Sequence, residues 1–236
     1  MTQDISAISN NPNTQYRWVI LLAMIYLTGW TTSYLMIYKM TEVKHILEPG
    51  CIFLFPLSYA IADIIAEVYG YKIARQIVWF ALFTGFIFCI SVRIVTLIPH
   101  PIFWNKQQNY DVVFSPILRA YLATTVASLI GNFLNIYVVS KWKVLWYGKH
   151  FWIRSLASTG FGELTFSIIG GSAAYVGIEP WNKIPFLMLD GYLFKMLYAI
   201  IAVWPAAILV VFLKRSEKVD VYDKEINYNP FQWSLD

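Results

Sequence analysis

The chain has 236 residues, of which 58% are hydrophobic and only 14% charged, with a net charge of +4 and a mean hydropathy of +0.54. A soluble domain sits nearer a quarter charged, so this composition excludes a globular enzyme with an oily core and points to a polytopic membrane protein. The basic surplus is no sign of nucleic-acid binding, because Lys and Arg gather at the ends of apolar runs, where membrane topology demands them.

Residues 1–16 form a polar N-terminal tail without a positive leader segment, and no small-residue cleavage site follows the first apolar run. That run is therefore expected to be a retained span and not a signal peptide. A spanning helix needs about 20 mostly apolar residues. Six runs qualify, over roughly 17–38, 51–69, 77–98, 117–140, 154–177 and 186–213. The second and third, joined only by a short turn, form an antiparallel hairpin. Pro56 and Pro205 are expected to interrupt the second and sixth runs. The fold class is thus an all-α integral membrane protein, a bundle of six transmembrane helices over 17–213. A C-terminal tail, 214–236, turns acidic and lies along the cytoplasmic face. With the N-terminus inside, eleven Lys and Arg fall on the cytoplasmic side and four or five outside, so both termini face the cytoplasm. Cys51 and Cys89 are far apart with no metal-type spacing, and read as buried small apolar residues.

The polar residues inside the spans carry the functional signal, because a charge at membrane depth costs roughly 3 kcal/mol or more. Asp63 and Glu67 lie four apart on one face of the second helix, and Tyr59 extends that face. Topology puts Glu67 toward the cytoplasmic end beside Lys72 and Arg75, which suits a gate or structural ion pair. The acids could share a proton, or pair with Arg75 or Arg93. Asn132 and Asn135 share a face of the fourth helix with Ser128. They could read the edge of a planar heterocycle or simply join helices. Glu163 and Lys195 sit deep in the fifth and sixth helices and are expected to face the interior, paired or hydrated. Ser158 and Gly162 form a small-xxx-small step, and Thr159, Glu163, Phe166 and Gly170 line another face of the fifth helix. An acid beside small residues and an aromatic ring suits a flat ligand.

The run PLSYAIADIIAEVYGYKIARQIVW resembles the signature of the VUT family, the queuosine precursor transporters. RAYLATTVASLIGNFLN resembles that family's fourth helix, opening on Arg119. LDGYLFKMLYAIIAVWPAAILVVFLK resembles its sixth, with Lys195 and Pro205, and EKVDVYDKEINYNPF its acidic end. The resemblance implies a six-helix protein of the bacterial inner membrane that imports 7-deazaguanine bases, such as preQ0, preQ1 or queuine, for tRNA modification. Two positions where the family commonly carries Asp are Asn135 and Phe166 here, with Glu163 a few residues before the latter, so substrate choice is to be sought at Glu163 and the pair Asn132 and Asn135.

Taken together, the expected function is import of a queuosine precursor base, with Tyr59, Asp63, Asn132, Asn135, Glu163, Phe166 and Lys195 as substrate-binding residues. Glu67, Arg75 and Arg93 are expected to form a gating charge network. The alternative is a membrane-embedded substrate-binding subunit of an energy-coupling-factor transporter, which needs ATPase partners. An enzyme is not expected, since there is no nucleophile elbow, no HExxH and no GxGD motif. No catalytic residue, cofactor or metal is expected. The expected partners are a small planar base and the lipid bilayer, not nucleic acid, and a homo-oligomer is left open.

Overall fold

The computed structural model describes residues 16–43, 46–175, 180–182 and 184–232. Its long helices are α1 (Arg17–Met36), α2 (Phe55–Tyr69), α3 (Tyr71–Leu97), α5 (Ile117–Leu145), α6 (Phe151–Tyr175) and α7 (Ile184–Glu217), with a short helix α4 (Gln107–Phe114) before α5. Helices dominate because a bilayer offers the backbone no hydrogen-bonding partner, so each span must satisfy its own amides. Five segments are long and apolar enough to cross a membrane: Arg17–Met36, Gly50–Tyr69, Tyr71–Leu97, Gln107–Leu145 and Ile184–Glu217. The sixth long helix, α6, has 25 residues, about 37 Å at 1.5 Å per residue. Its serines, glycines, Arg154 and Glu163 make it more polar, and it packs against α5 and α7.

Three departures from the expected spans have physical causes. Pro56 does not interrupt the second helix. A 3₁₀ turn over Gly50–Phe53 precedes it, and Pro56 lies in the first turn of α2, where its missing N–H costs nothing. The connection between α1 and α2 holds a small antiparallel hairpin, β1 (Met40–Val43) on β2 (Ile46–Pro49). The connection after α3 holds α4, which has no buried residue. Pro205 does lie within its helix, α7.

Gly70 alone separates α2 from α3. Its φ of +87° suits glycine, and a Cβ there would lie 2.8 Å from Val221 Cγ1 and 2.9 Å from Asp223 Oδ1. The core is largely aromatic: Tyr26, Trp30, Tyr34, Phe55, Tyr59 and Tyr121 are all buried, whereas Phe80, Phe83, Ile87 and Ile94 of α3 are exposed, as a lipid-facing surface requires. Cys51 and Cys89 are free and buried.

α2 is the central element. It contacts α1, α3, α5, α6 and α7, and both Asp63 and Glu67 on it are fully buried. The ends of the bundle sort as the basic residues require. Glu67 of α2 meets Arg154 at the start of α6 and Lys214 near the end of α7. Trp18 N, at the start of α1, donates to Glu217 Oε1 at 2.9 Å. That shared end is the one the positive-inside rule assigns to the cytoplasm.

Candidate functional site

The α2 face bearing Tyr59, Asp63 and Glu67 meets α5, α6 and α7 along a file of buried polar groups. At its outer end Lys195 Nζ donates to Glu163 Oε2 at 3.0 Å. Lys195 Nζ also lies 4.8 Å from the ring centroid of Phe166 and 5.5 Å from that of Phe55, within cation–π range. The two rings are 4.7 Å apart. The Glu163 side chain is wholly buried, while that of Lys195 keeps 11% exposure. Above this pair the hairpin brings in Glu48, buried beside Gly191 of α7. Burial pushes the Glu48 carboxyl up, with Lys195 opposing and Asp190 reinforcing the shift.

The middle of the file is built on a close helix crossing. A Cβ on Gly162 would lie 2.8 Å from Gly131 O and 2.8 Å from Tyr59 Cε1, and one on Gly131 would lie 2.7 Å from Tyr59 Oη. Two glycines therefore let α5 and α6 meet backbone to backbone with the Tyr59 ring against both. Around this crossing, Tyr59 Oη, Ser128 Oγ, Asn135 Oδ1 and Glu163 Oε1 are buried with no hydrogen-bond partner among the described residues. An unmatched buried polar atom costs about 1–3 kcal/mol, so four in one region call for an explanation beyond packing.

Asn132 differs from its neighbour three residues on. Tyr26 Oη donates to its Oδ1 at 2.8 Å, and its Nδ2 donates to Ser128 O at 2.7 Å, so it joins α1 to α5. Asn135 donates from Nδ2 to Ser158 Oγ at 3.2 Å and leaves Oδ1 free. Asp63, about a turn deeper than Tyr59, takes hydroxyl donors from α6 alone: Ser155, Ser158 at 3.3 Å and Thr159 at 3.4 Å.

The cytoplasmic end is an ion network. Arg154 grips Glu67 with two nitrogens, Nη1 at 2.5 Å and Nη2 at 3.2 Å, and Lys214 Nζ reaches Glu67 Oε1 at 2.6 Å. Lys214 also meets Asp220 at 2.9 Å, and Lys143 meets Asp220 at 2.6 Å. Of the residues expected here, Glu67 takes its place, but Arg75 turns to the C-terminal tail, donating to Asn229 O at 3.1 Å and Asn227 O at 3.5 Å. Arg93 stays half-buried on α3 and makes no ion pair among the described residues.

Sequence reasoning missed Arg154, Lys214 and Lys143 as partners of the acids, having counted them only as topology markers. Arg154 did carry a signal. A cation in the first turn of a helix opposes the helix dipole, so it needs a carboxylate nearby. Phe55 and Glu48 were missed as well: Phe55, four residues before Tyr59, continues the Tyr59–Asp63–Glu67 face and could have been found by that spacing, whereas no periodicity marks Glu48. A shallow apolar depression lined by Ile208, Val211, Phe212, Arg215 and Ser216 shares no residue with the polar file.

A family profile described as "Putative vitamin uptake transporter" matches residues 49–210. The chain is 25% identical over 171 residues to a "Probable queuosine precursor transporter" of Haemophilus influenzae, covering 68% of each chain. It is 24% identical over 141 residues to a protein of the same description from Bacillus subtilis, covering 59% of this chain and 62% of that one, just under two thirds. No solved structure matches the chain. With the profile spanning most of the bundle, the chain belongs to this transporter family and is a multi-pass protein of the plasma membrane.

Proposed function

We propose that this member of the vitamin uptake transporter family imports a queuosine precursor, a 7-deazaguanine base, and carries it across the membrane without covalent change. The observation that carries the reading is the buried Glu163–Lys195 pair, flanked by Phe55 and Phe166, with Glu163 Oε1 and Tyr59 Oη left free to bond. A deazaguanine offers adjacent N–H donors on one edge, which a carboxylate accepts side by side. Its carbonyl needs a donor, which Lys195, Tyr59 or Ser128 supplies, and Asn135 Oδ1 offers a further acceptor. One flat face can stack on the paired rings of Phe55 and Phe166, at about 1–3 kcal/mol per stacked base. The names of the two relatives support the same substrate class.

In this reading Glu163, Lys195, Tyr59, Asn135, Phe55 and Phe166 contact the base, Asn132 holds α1 to α5, and Asp63, occupied by the α6 hydroxyls, stands outside the set that contacts the base. The Glu67–Arg154–Lys214 network closes the cytoplasmic side and must part for release.

Two measurements test the proposal. Cells unable to make queuosine should regain it in their tRNA when they express this protein and are given preQ0, preQ1 or queuine; no recovery with any of the three overturns the substrate assignment. Purified protein in liposomes should take up the same base unaided. Uptake that needs added ATPase subunits would instead make the chain a binding subunit of an energy-coupling-factor assembly.

A further inference from the structure

Every other acid in the polar file has a cation. Glu163 holds Lys195, and Glu67 holds Arg154 and Lys214. Asp63, between them and equally inaccessible, has no Lys or Arg partner among the described residues. The groups facing it can be named element by element. From α6 come Ser155, Ser158 and Thr159, while Arg154 of that helix is committed to Glu67. From α5 comes Asn135, tied to Asp63 through their shared contact with Ser158. On α2 itself Tyr59 and Glu67 lie one turn to either side. On α7 the cations Lys195 and Lys214 are held by Glu163 and Glu67. On α3, Arg75 donates to the tail carbonyls of Asn227 and Asn229. On α1, Tyr26 donates to Asn132, and Cys51 is the ionisable group of the 3₁₀ turn.

A bare carboxylate in such a place is unfavourable, because neutral hydroxyls do not balance its charge. A carboxylic acid is not. It keeps one acceptor oxygen for the hydroxyls and gains a donor, and Asn135 Oδ1 is a buried acceptor with no partner in the same cluster. Ser155, Ser158 and Thr159 can each pass a hydrogen bond either way. The cluster is therefore built to hold a proton and to lose it when the surroundings become wet or charged.

Resting on the import reading above, we propose that Asp63 is a proton-binding site that couples base uptake to the pH gradient. One proton from the outer solution forms an O–H bond on Asp63 while the base occupies the Glu163–Lys195 region. When the Glu67 network parts, that bond breaks and the proton passes to cytoplasmic water with the base. The base itself is unaltered.

The test uses the full chain in liposomes with labelled preQ0, the membrane potential clamped. Wild-type protein is expected to exchange preQ0 across the membrane without a gradient. With the interior one pH unit more alkaline, it should accumulate the base up to about tenfold, the limit for one proton per base. Asp63→Asn should go on exchanging but lose gradient-driven accumulation. Asp63→Glu should accumulate with a displaced pH midpoint, which a merely structural role would not produce.

Wild-type exchange without accumulation overturns the coupling and leaves the import reading standing. Accumulation by Asp63→Asn moves the proton site elsewhere and overturns the assignment. If Asp63→Asn does not fold, the pH midpoint of Asp63→Glu decides, and an unmoved midpoint overturns it. Absence of any wild-type exchange with preQ0, preQ1 or queuine sinks the import reading, and this proposal with it.

Discussion

The two paired carboxylates of the polar file, Glu67 and Glu163, differ in how fully each is used. Arg154 and Lys214 occupy both oxygens of Glu67, whereas Glu163 keeps one oxygen free. Glu163→Gln should therefore weaken binding of preQ0 or preQ1 by about 10–100-fold, the worth of one hydrogen bond to a charged group at about 1.5–3 kcal/mol. Calorimetry on the purified protein measures this, and unchanged affinity removes Glu163 from the base site. The same pair makes a stability prediction. Removing one partner leaves an unpaired buried charge at about 3–5 kcal/mol, while replacing both removes the desolvation problem. Glu163→Gln with Lys195→Met should thus melt above Lys195→Met alone. A double variant that melts below both single ones would mean the pair is a net stabiliser of the fold. The depth of Glu163 and Lys195 was legible in the sequence, because charges at that depth must face inward. The pairing of Glu67 with Arg154 was not, since the two are 87 residues apart and only the folded bundle brings them together.

At the scale of helices, the site depends on how closely α5 and α6 approach. The small residues of α6 are plain in the sequence, but nothing in it says that Gly162 meets Gly131 and not some other helix. In the fold a Cβ on Gly162 would come within 2.8 Å of both Gly131 O and Tyr59 Cε1. One neighbour is backbone and the other a fully buried ring, so neither gives way easily. Gly162→Ala should cost about 1–3 kcal/mol by overpacking and weaken base binding by displacing Tyr59. Gly160→Ala, two residues earlier, meets nothing nearer than 3.6 Å, and should be neutral or slightly stabilising through helix propensity. Thermal melting of the two variants side by side checks this, and equal melting points would contradict the close crossing. The elements that escaped the sequence are short ones. The hairpin strands have four residues each, too few for alternation to register, and α4 buries nothing, so no apolar face announces it. Pro56 misled because proline weakens a helix interior and favours a helix start, and the residues before it look as apolar as those after.

At the scale of the whole molecule, the C-terminal tail packs across the helix ends where α2 meets α3. An acidic tail reads as a solvated surface segment, yet here it is bound like a strap. Val221 N donates to Val68 O at 3.2 Å, and Lys143 donates to Val221 O at 2.5 Å. Tyr71 N donates to Asp223 Oδ2 at 2.8 Å, Ser140 donates to the same oxygen, and Trp79 Nε1 donates to Pro230 O at 2.7 Å. Burial, the largest influence, raises the Asp223 carboxyl above its ordinary 3.8, against the opposing pull of Ser140, the Tyr71 amide, Lys143 and Lys72. The sign follows directly. With the folded value above the unfolded one, the folded protein binds more protons in that interval, so stability falls as pH rises from 3.8 through the raised value. Below 3.8 both states are protonated and the contribution is level. Asp223→Asn removes the titrating group while keeping an acceptor for Ser140 and Tyr71, so the melting temperature of the variant should lose this part of the pH slope. Glu48, also raised by burial, contributes a slope of the same sign from the outer end, and it persists in Asp223→Asn. Removing the chain after Lys218 should abolish the Asp223 contribution in the same way. It should also lower the melting temperature at every pH, because Lys143 and Arg75 then lose the tail groups they now hold. A truncated protein that melts like the full chain would show that the strap adds nothing to stability, and an Asp223→Asn variant with an unaltered pH slope would remove Asp223 as a source of that slope.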